Sequence, residues 1–200
     1  MTRLLRLLLV SLSLSGGAAA QAFDLDQLSA QLGAPLLVRG SFIQEKHLRA
    51  LAQPLSSQGQ FVLARQFGLL WLLRSPLQQD YRIDEAGIAR RGPQGWQVQA
   101  DQAVAGQQSR LFLAVLKGDH GGLARDFDLQ LHGDATAWQL QLLPRSALLK
   151  QVFSVILIRG GALVESIELR EVQGDSTLLR LLHSVPDKTL SDAERDAFAP

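Results

Sequence analysis

The residues that most often carry catalysis are sparse and scattered in this chain. Asp119-His120, set between Gly118 and Gly121-Gly122, is an adjacent acid–imidazole pair. Such a pair can relay a proton or begin a metal site, but a metal centre needs further ligands at defined spacing. His47, His132 and His183 supply none at such spacing. Glu165, Glu168 and Glu171 fall beside Arg170 along one strand-like stretch and read as a solvated edge. There is no G-x-S-x-G elbow, no P-loop and no G-x-G-x-x-G. The sequence has no cysteine, hence no disulfide, no thiolate and no thiol for a lipid anchor. The pattern points away from an enzyme, and neither a cofactor nor a metal is expected.

The chemistry of the chain is that of apolar surface. Gly59–Pro76 opens with Phe61 and Leu63 alternating with Gln60 and Val62. It closes with five apolar residues in a row, Leu69 to Leu73. Arg65 and a turn at Gln66–Gly68 lie between, so the stretch reads as a β-hairpin. A sheet with one wet face should alternate apolar and polar residues. The second run does not, so both of its faces need cover.

The rest of the chain must supply that cover. A length of 200 residues suits one domain with a sizeable core. Apolar residues make up 46% and charged residues 20%, as in a folded globular protein. The charge is balanced, with 20 Lys+Arg against 19 Asp+Glu. No basic face is implied, so nucleic acid is not an expected partner.

Residues 1–22 read as a secretory signal peptide. Arg3 and Arg6 begin it, an apolar run from Leu4 to Leu14 follows, and Ala20-Gln21-Ala22 offers a cleavage site before Phe23. The run is too short to span a bilayer, which takes ~20 residues. Cleavage removes two arginines and leaves 18 basic residues against 19 acidic. Residues 23–200 are then a single exported domain, most simply placed in the periplasm of a Gram-negative bacterium.

Within that domain, Phe23–Leu32 reads as a helix capped by Asp24 or Asp26 and ended by Gly33-Ala34-Pro35. Leu36–Lys46 is the first strand, and Ala52–Ser57 a connector. After the hairpin come short strands at Gln79–Asp84, Ile88–Arg91 and Trp96–Ala100, parted by turns at Asp84–Gly87 and Gly92–Gly95. Helical spacing starts at Ser109, with Leu111, Phe112, Val115 and Leu116 on it, and Gly118 ends it. Strands resume at Phe127 and Trp138. Pro144–Lys150 is a break, and Val152–Ile158 is strongly apolar. A strand through Ile167 and one over Leu178–Val185 follow, the latter broken by Pro186. Ser191 with Glu194 makes a capping box for a last helix.

The total is about ten strands with two or three helices, mainly β within an α+β class. Such a meander is expected to form a strongly curved sheet, an unclosed antiparallel β-barrel, with a helical lid over an apolar cavity. The cavity suits an acyl chain or another apolar guest.

The run Arg65 to Trp71 followed by Pro76 resembles the hairpin of LolA, the periplasmic lipoprotein carrier, which reads roughly R-P-x-x-F-x-W-x-x-x-x-P. Gly40-Ser41-Phe42-Ile43-Gln44 is similar to that family's first strand. Gln66 stands at the family's proline and Leu69 at its phenylalanine, as in a divergent member. The resemblance implies a monomeric carrier that takes acyl chains of lipoproteins, or a related envelope lipid, from an inner-membrane transporter to an outer-membrane receptor. It implies that Arg65 holds the lid closed by hydrogen bonds and that Leu69 occupies a position important for transfer. Candidate lid and cavity residues are Arg65, Leu69, Trp71, Phe42, Phe61, Leu63, Leu111, Phe112 and Val115. A second reading is a periplasmic module of the same fold that binds a protein partner or senses a lipid, as an accessory to polyene or lipid biosynthesis.

Overall fold

The computed structural model describes residues 23–99 and 111–199. The expected signal peptide, the start of the helix expected from Ser109, and Ala100 lie outside them. Helix α1, Leu25–Gly33, is capped by Asp24, whose carboxylate accepts from the Gln27 amide at 2.8 Å. The Gln27 side-chain oxygen in turn accepts from the Asp24 amide, which completes a capping box. Six strands follow: β1 Leu37–His47, β2 Leu55–Ala64, β3 Gly68–Ser75, β4 Gln79–Asp84, β5 Gly87–Gly92 and β6 Gly95–Val98. Helix α2, residues 111–117, ends at Gly118 in the left-handed region, φ 70°. The second half is α3 His120–Asp126, β7 Phe127–Asp134, β8 Ala137–Pro144, α4 Ala147–Val152, β9 Phe153–Gly160, β10 Val164–Glu171, β11 Ser176–Asp187 and α5 Asp192–Phe198.

The eleven strands form one antiparallel sheet in the order β6-β5-β4-β3-β2-β1-β11-β10-β9-β8-β7. Each half of the chain is a meander, and the first and last strands join the halves at the centre. β6 and β7 are edges, so the barrel is not closed.

The run over Leu69–Leu73 is covered on both faces, as its lack of alternation requires. Leu69, Trp71 and Leu73 belong to the large cluster that also holds Phe42, Phe61 and the α2 side chains. Leu70 and Leu72 turn the other way, onto Leu37, Val62 and Ala64 and the α5 residues Ala197 and Phe198. Helix α5 is fixed there by Arg39, whose Nε donates to Glu194 at 2.7 Å and whose Nη1 pairs with Asp187. Those charge-assisted bonds from Arg39 hold the Glu194 carboxyl down to about 2, against the usual 4.5.

The rolling of the sheet follows from α1. Arg65, in the β2–β3 turn, donates to the Gly33 carbonyl oxygen at the end of α1. Two residues earlier, the Gln31 side chain donates through Nε2 to the carbonyl oxygens of Gly161 beyond β9 at 2.6 Å and of Ala135 between β7 and β8 at 3.2 Å. In a flat sheet β2 and β8 would stand five spacings apart, ~24 Å. Neighbouring residues of one helix reach both turns only because the sheet curls around them.

Three expectations are corrected. Leu55–Ser57 is the start of β2 rather than a connector, since Ser56 and Ser57 pair with Glu45 and Gln44. Pro186 does not break the last strand: β11 continues through it, opposite Val38. The ladder has already shifted register between Arg39 and Ser41, with His183 at φ 54°, and a proline fits beside such a bulge. Glu168 and Arg170 do not lie on an edge. β10 is an interior strand, and the two side chains pair on its outward face at 2.6 Å.

Candidate functional site

Alternation along the strands builds an inner row of side chains. Arg90 on β5 is opposite Tyr81 on β4, Tyr81 opposite Trp71 on β3, and Trp71 opposite Phe61 on β2. Phe61 in turn faces Gly40 on β1, while Phe42 faces Gly59. The two phenylalanines lie over the two glycines. A Cβ at Gly40 would stand 2.6 Å from the Phe61 ring, and one at Gly59 2.9 Å from the Phe42 ring. Phe42 then stacks on Trp71, ring centroids 3.6 Å apart. Trp71 meets Phe112 of α2 edge to face at 5.2 Å. A single indole therefore joins the sheet to the helix that covers it.

Beyond Trp71 the sheet and α2 part around a cavity of about 420 Å³. Its apolar wall includes Ile83, Ile88, Ile156, Ile167, Leu169 and Leu179. Among the described residues its polar lining is Gln44, Tyr81, Arg90, Gln99 and Thr177, with no carboxylate. A second hollow of about 720 Å³ lies across α2, where α3 and α4 bound it, and Leu111 borders both. Helix α2 is thus a partition as well as a lid.

The expected site residues divide by place. Trp71, Leu111, Phe112 and Val115 border the cavity. Phe42, Phe61, Leu63 and Leu69 are buried in the layer beneath, and Leu69 has no exposed surface at all. Arg65 stands apart from the cavity, on the end of α1. Helix α1 packs Leu28 and Leu32 into the core, and its Ser29 hydroxyl donates to the Gly118 carbonyl oxygen at the end of α2. Arg65 therefore touches the cover through α1. The polar lining was missed by sequence reasoning. Parity holds the signal: residues 81 and 83 share a face on β4, as do 88 and 90 on β5, so an inward Ile88 implies an inward Arg90.

Asp119 and His120 have local partners. Asp119 caps α3, accepting from the Gly122 amide at 2.8 Å. His120 Nε2 lies 3.2 Å from Asp26 of α1. Among the described residues no three acidic, imidazole or thiol groups converge as a metal site. No helix among them is long and apolar enough to cross a membrane.

Several solved structures are similar to this chain. A chain in the MucA/MucB complex of Pseudomonas aeruginosa aligns with TM-score 0.51 and 16% identity over 85% of this chain, which spans 58% of that one. A LolA superfamily protein from Nitrosomonas europaea aligns with TM-score 0.48 and 10% identity, covering 84% of this chain and 94% of that one. A putative outer membrane lipoprotein-sorting protein domain from Vibrio parahaemolyticus gives 0.44 and 7%, over 87% and 96%. No curated protein sequence matches the chain. The model of the outer membrane lipoprotein carrier protein LolA-like family matches residues 17–193, and the chain belongs to that family.

Proposed function

We propose that the protein is a carrier or chaperone of the bacterial envelope, which holds the acyl chain of a lipoprotein or related lipid beneath α2 and passes it towards the outer membrane. The observation that carries this reading is the apolar cavity of about 420 Å³ between the Trp71 row and α2. That size falls within the range of small-molecule sites. Each methylene transferred from water into it contributes ~0.8 kcal/mol, so one long chain is held firmly. Release then needs a cover that opens at modest cost. Helix α2 is held by Phe112 on Trp71, by the Ser29 bond from α1 and by the buried Leu113, Val115 and Leu116, so the guest must take over part of those apolar contacts as the helix lifts.

Residues 1–22 act in this reading as the export signal, and 23–200 as one monomeric carrier domain in the periplasm. Its partners are an inner-membrane transporter that loads it and an outer-membrane receptor that unloads it. The family is one of non-enzymatic binding folds, so no reaction is assigned. Native mass spectrometry of protein purified from an envelope extract tests the proposal, with co-purifying acyl chains expected. A protein that arrives empty and also fails to take up a fluorescent fatty acid would sink it.

A second reading, a module that binds a protein partner or senses a lipid, follows from the neighbour seen within a two-protein complex. Where the partner is a protein, α2 stays packed when lipid is added. Hydrogen exchange over residues 111–117, with and without lipid, separates the two.

A further inference from the structure

The lining of the cavity is asymmetric in a way that an acyl chain alone does not explain. A hydrocarbon needs only the isoleucine and leucine wall, yet five polar side chains border the same space. Four are neutral, one is a cation, and none is a carboxylate. The cation, Arg90, differs from the arginines beside it. Arg82 lies 3.3 Å from Asp84, and Arg91 lies 3.9 Å from Asp80. Among the described residues Arg90 has no carboxylate within ion-pair reach. It is exposed at the solvent side of the row, while Tyr81, directly opposite on β4, is half-buried. Cross-strand partners of this kind hold their Cβ atoms ~5 Å apart, so a guanidinium and a phenol share one small region. Gln99, whose backbone amide donates to Ile88 at 2.9 Å, brings an amide side chain to the same wall.

We propose that this cluster is a headgroup site, and that the ligand of the cavity is an anionic amphiphile: one long hydrocarbon chain ending in a carboxylate or a phosphate. The chain lies along Ile83, Ile88 and the Trp71 face. The charged end stays at the mouth, where the planar guanidinium of Arg90 donates to two of its oxygens and Tyr81 and Gln99 donate to the same group. The cation at the rim keeps the charge solvated, which avoids burying an ion in the apolar floor. This inference rests on the carrier reading and adds the chemistry of what is carried.

Calorimetry with three probes of equal chain length tests it at pH 8 and low salt: dodecanoate, dodecyl phosphate and the neutral dodecanol. The two anions are expected to bind roughly tenfold or more tightly than the alcohol, as a charge-assisted bond implies. Arg90→Gln should abolish that preference and leave dodecanol affinity and the melting midpoint unchanged. Arg90→Lys should keep part of it, and added salt should shrink it. The tighter of the two anions identifies the headgroup as carboxylate or phosphate. Equal affinity for all three probes, or a preference that survives Arg90→Gln, overturns the headgroup site and leaves the carrier reading standing. Failure of every probe, dodecanol included, overturns both.

Discussion

Trp71 of β3 and Phe112 of α2 meet at right angles, with ring centroids 5.2 Å apart. This contact crosses from the sheet to its cover. An edge-to-face pair is worth ~0.5–1.5 kcal/mol beyond the area it buries. Phe112→Ala should therefore raise local opening of residues 111–117 by about tenfold, seen as faster amide exchange there and unchanged exchange in β10 and β11. Equal protection in the variant would show that α2 is held by something else.

Filling the cavity should block uptake without unfolding the protein. Ile88 is half-buried and borders the open space. Ile88→Trp is expected to weaken binding of a fluorescent fatty acid by at least roughly tenfold. The denaturant midpoint should move by no more than ~1 kcal/mol, because the new ring enters a void and displaces no packed neighbour. Undiminished uptake would place the acyl chain elsewhere.

Arg65 and Gly33 should be coupled. A Cβ at position 33 would lie 2.4 Å from Arg65 Nη1, so Gly33→Ala must push the guanidinium off the carbonyl it serves. In a helix, alanine is otherwise favoured over glycine by ~1 kcal/mol. Gly33→Ala should thus be about neutral in the native protein and stabilising by ~1 kcal/mol in Arg65→Ala. Urea titrations of the two single variants and the double variant read the difference. Additive effects would mean that the bond does not anchor α1.

Gly59 carries a heavier constraint. Its Cβ would sit 2.1 Å from the Leu72 carbonyl oxygen as well as against Phe42. Gly59→Ala should cost ~1–3 kcal/mol through displaced backbone. Because Phe42 stacks on Trp71, the Trp71 share of the emission from the three tryptophans should shift in the folded variant. An unperturbed melting curve would contradict the close approach.

Acid should release α5 before the rest of the fold. The carboxyl of Glu194 is held near 2 in the folded state by Arg39 and titrates near 4.5 when unfolded. A depressed folded value gives stability that is full above the unfolded value and is lost as pH falls from 4.5 towards 2. After solvent screening its size is ~1–2 kcal/mol. Glu194→Gln should lower the melting midpoint at pH 7 and flatten its fall over that window. An acid limb with the same slope in both proteins would rule out this pair as its source.

What the sequence made legible was the local pattern. The unbroken run Leu69–Leu73 announced two covered faces, and Leu70 on α5 with Leu69 on the cavity side is that result. The capping boxes at Asp24 and Ser191 marked two helices because each is a short-range bond. Long-range facts were hidden. Nothing in the spacing of β1 says that it pairs with β11, and that pairing decides which turns α1 can reach. Pro186 read as a stop because local chemistry says so, while the bulge at His183 of the same strand, which accommodates it, shows only in the pairing with β1. Arg90 was passed over because an arginine in a short strand usually faces water, and only the fold shows what that face encloses.

The pairing of Phe42 with Leu181 at the middle of the sheet has a kinetic consequence. Either meander can begin alone, but the ladder that unites them needs both ends of the polypeptide. Assembly is therefore dominated by distant contacts and should be slow. Until the last strand arrives, the Phe42 stack has only half a roof, and a chain stopped short of β11 would expose it along a bare strand edge, where such chains stick to one another.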